Sequence, residues 1–382
     1  MTRIFLLCLL ASISFVDSAS GQTKLFSVRL QDYGYAPIVH PKPGGEGDLA
    51  MTNHLAIDGD GRVYVGFSME GGPRLLKQGE TNNTFRVLTI GPENGVVGRT
   101  LDFPTTSIVR VGIELTARDA LLVAANEKVM LLGKNGVPRA TFDVPVSHKP
   151  VGGILEIKKS PSGKTLIITN YDNNYVFLSS ETLSPIAQCN VPSKQDSPET
   201  FSDKMKVIMF QSSDIPTIDE LRYGPYCGAT ALLRPNGSQL DTPFFLDNST
   251  LLGVGEPPWS RDRLLNGSPL WAVKSDGTPL WSMPLPKHFT FEVNPVVSVA
   301  RDGSRFALWV EQFTGGNTHF GFESTVKILD SSLVVYDART GKQVCSVNPN
   351  PIAHTGLLEF ALSPHGDLLA TLQGGVLQVW KL

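Results

Sequence analysis

One unit recurs along this chain: an apolar strand, a glycine-bearing tight turn and a second apolar strand. It reads HLAIDGDGRVYVGFS at 54–68, GILEIKKSPSGKTLIITN at 153–170, VVSVARDGSRFALWV at 296–310 and LLEFALSPHGDLLATL at 357–372. The segment SIVRVGIELTARDALLVAAN, 107–126, fits with a degenerate turn. Glycine matters there because the turn is read as a two-residue hairpin turn, which needs a positive φ that glycine adopts without steric cost. A second hairpin follows at 74–90, 128–146, 174–191, 269–285 and 332–347. Two hairpins in tandem make a four-stranded antiparallel sheet. No segment carries sustained helical periodicity with capping signals, so the fold class is all-β.

The double hairpins end near 90, 145, 191, 285 and 347. The interval from 191 to 285 holds either two units or one unit with a large insertion. The last unit has strands at 357–363, 367–372 and 376–382 and lacks a fourth. Residues 24–30, KLFSVRL, form an apolar strand without a hairpin partner. Placed fourth in the last sheet, that strand closes a ring, which leaves only short, protected edges. The expectation is a single closed β-propeller. Repeats of about 50 residues predict seven four-stranded blades, with six and eight as the alternatives.

The repeats resemble known propeller families. SPHGDLLATLQGGVLQVWKL looks like a WD40-type repeat, with Trp380 near the end of its third strand. IDGDGRVYVG resembles the turn of NHL-type repeats, and SPSGKTLIITNYDNNYVFLSSETLSP is similar to the YVTN surface propellers. The pattern departs from WD40 proper in having no GH dipeptide and no Asp–His–Ser/Thr–Trp network. The resemblance implies a fold and a binding role, carries over no catalytic residue, and weakens over 193–268.

Residues 1–21 read as a signal peptide, leaving 22–382 as the propeller domain. Arg3 is the positive start, 4–16 the apolar stretch, and Ser18, Ala19, Ser20 and Gly21 the small residues where a peptidase cuts. The protein is therefore expected to be secreted, periplasmic or at the cell surface, with no transmembrane segment after signal removal. A formal charge of −3 gives no basic footprint, so nucleic acid is not an expected partner. Cys189, Cys227 and Cys345 remain outside the signal. An oxidising compartment permits one disulfide, for which Cys189 and Cys227 are the candidates as the pair closest in sequence. Three free thiols are the alternative. Asn82, Asn236, Asn248 and Asn266 lie in glycosylation sequons, which would mark exposed loops if the source is eukaryotic.

Motifs with chemistry fall short. The GKT within 160–165 lacks the earlier P-loop glycine, and β-branched residues follow it instead of a helix. Asp58 and Asp60 lack the further oxygen ligands of a calcium loop. GFSMEG at 66–71 has one residue too many for a nucleophile elbow. The seven histidines form no tight ligand pair. No catalytic residue, metal or cofactor is therefore expected. The reading is a non-enzymatic scaffold for an unknown protein or glycan partner. The alternative is an enzyme using the propeller channel (a lyase, lactonase or glycan hydrolase), marked by charged groups from several blades converging at one mouth.

Recognition then falls to irregular segments. The candidates are 33–47; 192–226 with Tyr223; 255–266 with Trp259, Arg261 and Arg263; and 315–322 with His319 and Phe320. Trp and Arg together are typical of binding hot spots.

Overall fold

The computed structural model describes residues 22–35, 55–69, 83–105, 112–125, 127–144, 154–170, 174–190, 196–203, 206–211, 220–225, 231–232, 239–256, 269–274, 276, 278–284, 297–314, 327–349, 359–373 and 375–382. Among these, the strands form seven four-stranded antiparallel sheets. Sheet I contains Leu55–Ile57, Val63–Ser68, Asn83–Ile90 and Val97–Thr105. Sheet II contains Gly112–Leu115, Leu121–Ala125, Lys128–Leu132 and Pro138–Asp143. Sheet III contains Ile154–Lys159, Thr165–Asn170, Asn174–Ser179 and Pro185–Asn190. Sheet IV contains Asp196–Phe201, Lys206–Gln211, Glu220–Pro225 and Ala231–Leu232. Sheet V contains Gln239–Phe245, Thr250–Glu256, Pro269–Lys274 and Pro279–Pro284. Sheet VI contains Val297–Val299, Arg305–Thr314, Lys327–Asp337 and Gln343–Val347. Sheet VII contains Glu359–Leu362, Leu368–Gln373 and Val376–Lys381, and its fourth strand is Thr23–Arg29 from the other end of the chain. That strand pairs antiparallel with Val376–Lys381, Val28 opposite Leu377.

Three details of the sequence reading change. Among the described residues the second hairpin of sheet I is Asn83–Ile90 with Val97–Thr105, joined by the turn at 91–96, and 74–82 lie outside them. The interval from 191 to 285 holds two sheets, IV and V, so 192–226 is largely sheet and no interruption. The repeated turns are not two-residue turns. Gly61 N–H donates to Asp58 O while Asp58 N–H donates to Arg62 O, so the left-handed residue comes third in the loop. Gly61, Gly163, Gly303 and Gly366 hold that place at φ between +66° and +80°. In sheet II Asp119 holds it at φ +60°, which is the degenerate turn.

The residue opening each loop also has a reason. Asp58 Oδ1 accepts from the N–H of Asp60 and of Arg62, at 3.0 and 2.8 Å. Thr116 Oγ1 accepts from Arg118 and Ala120 N–H, and Ser363 Oγ from Asp367 and Leu368 N–H. These side chains satisfy backbone donors that the turn would leave unpaired.

Sheets pack face to face because both faces are apolar. In Leu121–Ala125 all five residues are buried. Val123 faces Phe85 and Val87 of sheet I, whereas Leu122 and Ala124 face Ile157 and Leu166 of sheet III. Period-two alternation thus serves two neighbours rather than core and solvent. Phe177 meets Phe201 between III and IV, ring centroids 5.9 Å apart. Thr200 Oγ1 accepts from Phe245 N–H between IV and V. Trp309 and Leu369 share a cluster between VI and VII, and Val65 and Leu372 share one between VII and I.

Between sheets V and VI, Trp281, Phe306 and Tyr336 stack in one column, centroids 6.1 and 5.1 Å apart. Tyr336 is 2% exposed and its hydroxyl has no hydrogen-bond partner among the described residues. Burial pushes its pKa up to about 12. A buried, unpaired hydroxyl costs on the order of 1–3 kcal/mol. Tyr336→Phe keeps the ring stack and removes that cost, so urea unfolding should show unchanged stability or a gain of about 1 kcal/mol. A loss of that size would show that the hydroxyl has a partner, such as a trapped water.

Candidate functional site

The meander topology sends two kinds of connection to two opposite faces. Turns joining first to second and third to fourth strands leave from one face, and none is longer than 91–96. Connections joining second to third strands, and one sheet to the next, join strand ends on the other face. These include 257–268, 285–296, 315–326 and 350–358. The first is called the turn face and the second the loop face.

On the turn face, the loops of neighbouring sheets interlock. Gly59 N–H donates to Asp119 Oδ2 at 3.1 Å, linking I to II. Ala117 N–H donates to Gly163 O, linking II to III. Ser160 Oγ meets Asp203 Oδ1, and Asp203 N–H donates to Asn248 Oδ1 at 2.7 Å, linking III, IV and V. Asp302 N–H donates to Pro364 O, and His365 Nδ1 lies 3.2 Å from Asp302 Oδ2, linking VI to VII. Burial opposes ionisation of Asp302, but hydrogen bonds from Ser304 and the contact with His365 hold its pKa below the usual carboxylate value. One contact skips neighbours: Arg301 of sheet VI donates to Ala117 O at 2.7 Å and to Asp119 Oδ1, both in sheet II.

This is the convergence of charged groups from several sheets that a channel enzyme would show. Three of its carboxylates accept hydrogen bonds within and between the turns. Asp119 accepts from Gly59 and Arg301; Asp58 accepts from Asp60 N–H, from Arg62 and from the Tyr64 hydroxyl; Asp302 accepts from Ser304 N–H. These bonds hold turns in place, while the buried Asp203 Oδ2 has no hydrogen-bond partner among the described residues. Among the described residues, no three His, Cys, Asp or Glu side chains are grouped to hold a metal.

The loop face carries an aromatic seat. After strand Thr23–Arg29 the chain makes a 3-10 turn, Leu30–Tyr33, that folds over the seam between sheets VII and I. Leu30 is fully buried and its N–H donates to Gly375 O at 2.8 Å. Tyr35 packs edge-on against Phe67 of sheet I, 5.4 Å between centroids. Burial, and then the Glu359 charge, push its phenol pKa well up, so it stays protonated. Gly375 stands at φ +76°, and a Cβ there would lie 2.7 Å from the Tyr35 ring and 2.4 Å from Gln31 Nε2. Arg86 Nη1 donates to Tyr33 O at 2.8 Å, while its other nitrogens grip Asp102 with two bonds of 2.7 Å.

The sequence-derived candidates distribute unevenly. Tyr33 and Tyr35, at the start of 33–47, form part of this seat. Tyr223 lies in the third strand of sheet IV, between Ile208 and Ala231. Trp259, Arg261, Arg263, His319 and Phe320 lie outside the described residues, in segments that join strand ends of the loop face. Cys189 is in the fourth strand of sheet III opposite Tyr175, and Cys227 lies outside the described residues. Cys345 is a buried free thiol whose pKa burial raises. Asn248 sits in a turn, its side-chain oxygen used by Asp203. Arg86, Phe67, Gln31 and Gly375 were not singled out in the sequence. The paired glycines after Gln373 were the only visible signal.

A chain in the crystal structure of the Mitotic Checkpoint Complex is similar over 100% of this chain and 99% of that chain, with 12% identity and a TM-score of 0.54. The fold is a β-propeller. Two further solved propellers are similar: the Cps50 (Swd1) beta-propeller domain of Myceliophteria thermophila (11% identity, 87% of this chain and 97% of that chain, TM-score 0.49) and the Pan2 WD40 domain of Neurospora crassa (11%, 94% and 95%, 0.49). No family model matches the chain, and no curated protein matches it. Among the described residues of the propeller, no helix is long and apolar enough to cross a membrane.

The Arg86–Asp102 pair ties the seat to sheet I and has a defined pH signature. The Arg86 hydrogen bonds lower the Asp102 pKa. Its contribution is therefore present above the unfolded carboxylate value of about 3.9 and is lost as pH falls through the lower native value. Asp102 is 45% exposed, so screening holds the effect to about 1 kcal/mol or less. Asp102→Asn should be less stable than wild type at neutral pH and converge with it in acid. A gap that persists in acid would place the effect elsewhere.

Proposed function

We propose that the chain is an exported, closed, seven-bladed propeller that acts as a non-enzymatic scaffold and binds a protein partner on its loop face. The observation that carries this is the asymmetry of the two faces. The turn face consists of short loops whose polar groups are bonded to one another. The loop face receives every long connection, including those with Trp259, Arg261, Arg263, His319 and Phe320. Loops set on a rigid scaffold are where recognition concentrates. Residues 1–21 support export, and strand Thr23–Arg29 beside Val376–Lys381 supports closure, with packing between VI and VII and between VII and I on either side.

Two experiments test the reading. A closed ring of this length is compact, with a radius of gyration of about 21 Å in small-angle scattering. A markedly larger value means an open array. Binding is tested by covalent crosslinking in the native extract, with Trp259→Ala, Arg261→Ala and Arg263→Ala set against the turn-face variant Asp60→Ala. A crosslinked protein lost with the first three and kept with the fourth supports the loop face. The reverse pattern assigns binding to the turn face, and retention only on glycan beads replaces the protein partner with a glycan.

A further inference from the structure

We infer that Arg301, Asp119 and Gly59 form a second closure of the ring, independent of the N-terminal strand. The inference rests on the closed-ring reading above. Sheet VII is assembled from two distant stretches of chain, so in a ring it is the seam. Its N-terminal strand is lightly held: of its seven residues only Val28 is buried, and the register slips between Lys24 and Phe26. Sheets VI and I flank the seam. Arg301 in VI holds Ala117 O and Asp119 Oδ1 in II, and Asp119 Oδ2 holds the Gly59 N–H in I. Sheet VI is thereby tied to sheets I and II without passing through VII.

Both ends of the tether depart from the repeat. Aligned on the left-handed residue, the loops read DGDG at 58–61, TARD at 116–119, SPSG at 160–163, ARDG at 300–303 and SPHG at 363–366. The fourth place is glycine in four of these five, and aspartate only at Asp119, where φ is +60°. A non-glycine residue there costs on the order of 1 kcal/mol. The second place is glycine, alanine or proline in the others, and arginine only at Arg301. The two exceptions, 182 residues apart, are each other's partners. What aspartate adds over glycine is a carboxylate with two oxygens, and each reaches a different sheet. Arg301 and Asp119 are 20% and 31% exposed, which limits screening of the pair by salt.

A double-mutant cycle in the full chain tests this. Val28→Ala weakens the seam mildly and Arg301→Ala removes the tether. Distant, independent sites add. Parallel closures do not, because either alone keeps the ring shut. The double variant should lower the folding equilibrium constant about tenfold beyond the product of the single effects, about 1.4 kcal/mol of coupling. Hydrogen exchange at the Gly59 amide, which Arg301 does not touch, should quicken severalfold in Arg301→Ala. Simple multiplication of the two effects, with unchanged exchange at Gly59, overturns the second closure. If wild-type scattering shows an open array, the ring itself fails. An additive cycle in a compact protein removes only the tether.

Discussion

Burial of both faces of the inner strands, among the described residues, governs this structure. A sheet with one apolar face can rest on a single layer and turn its other side to water. Sheet II cannot, because Val123 needs sheet I and Leu122 needs sheet III. Each fully buried aliphatic or aromatic side chain contributes roughly 1.5–3 kcal/mol, so an unpartnered face would be expensive. An open stack of such sheets always leaves two faces bare. Sheet VII, completed by a strand from the other end of the chain, packs against sheet VI on one side and sheet I on the other. The packing and the strand exchange thus answer the same constraint.

Polar chemistry on the turn face follows from the packing. Neighbouring sheets bring their short loops, each with backbone donors that no strand pairs, within hydrogen-bonding distance of one another. The residues opening the loops satisfy those donors first: Asp58, Thr116, Ser160 and Ser363 each accept from N–H groups of their own loop. Contacts between sheets come second, through Asp203, Asp302 and Asp119. The connections of the loop face vary more in length.

Legibility in the sequence followed the same physics. The inner hairpins could be read because a left-handed third loop residue all but demands glycine, and their strands are rich in Val, Ile, Leu and Phe. The outer strands could not. Val97–Thr105 alternates exposed and half-buried positions and contains Pro104, so it reads as a loop. Sheet IV was hidden for a related reason: DSPETF and ELRYGP carry acidic residues and prolines. The aromatic seat was half visible, in Tyr33 and Tyr35, but Arg86 and Gly375 are set against them by tertiary geometry alone. Arg301 and Asp119 looked like ordinary turn residues because their meaning lies in their meeting.

A repeat protein can hide its specialised positions in a second way, by placing them where the repeat fails. One aspartate in the glycine's place changes what the turn can hold. Gly61, Gly163, Gly303 and Gly366 hold the left-handed place with no side chain to reach another sheet. Asp119 accepts the same conformation at some cost and in return accepts hydrogen bonds from two other sheets. Deviations from a repeat that cost local stability persist when a distant group makes use of them. In this chain that criterion picks out Asp119 and Arg301 together. It also separates them from His365 and Asp302, whose contact joins adjacent sheets and whose turn keeps its glycine.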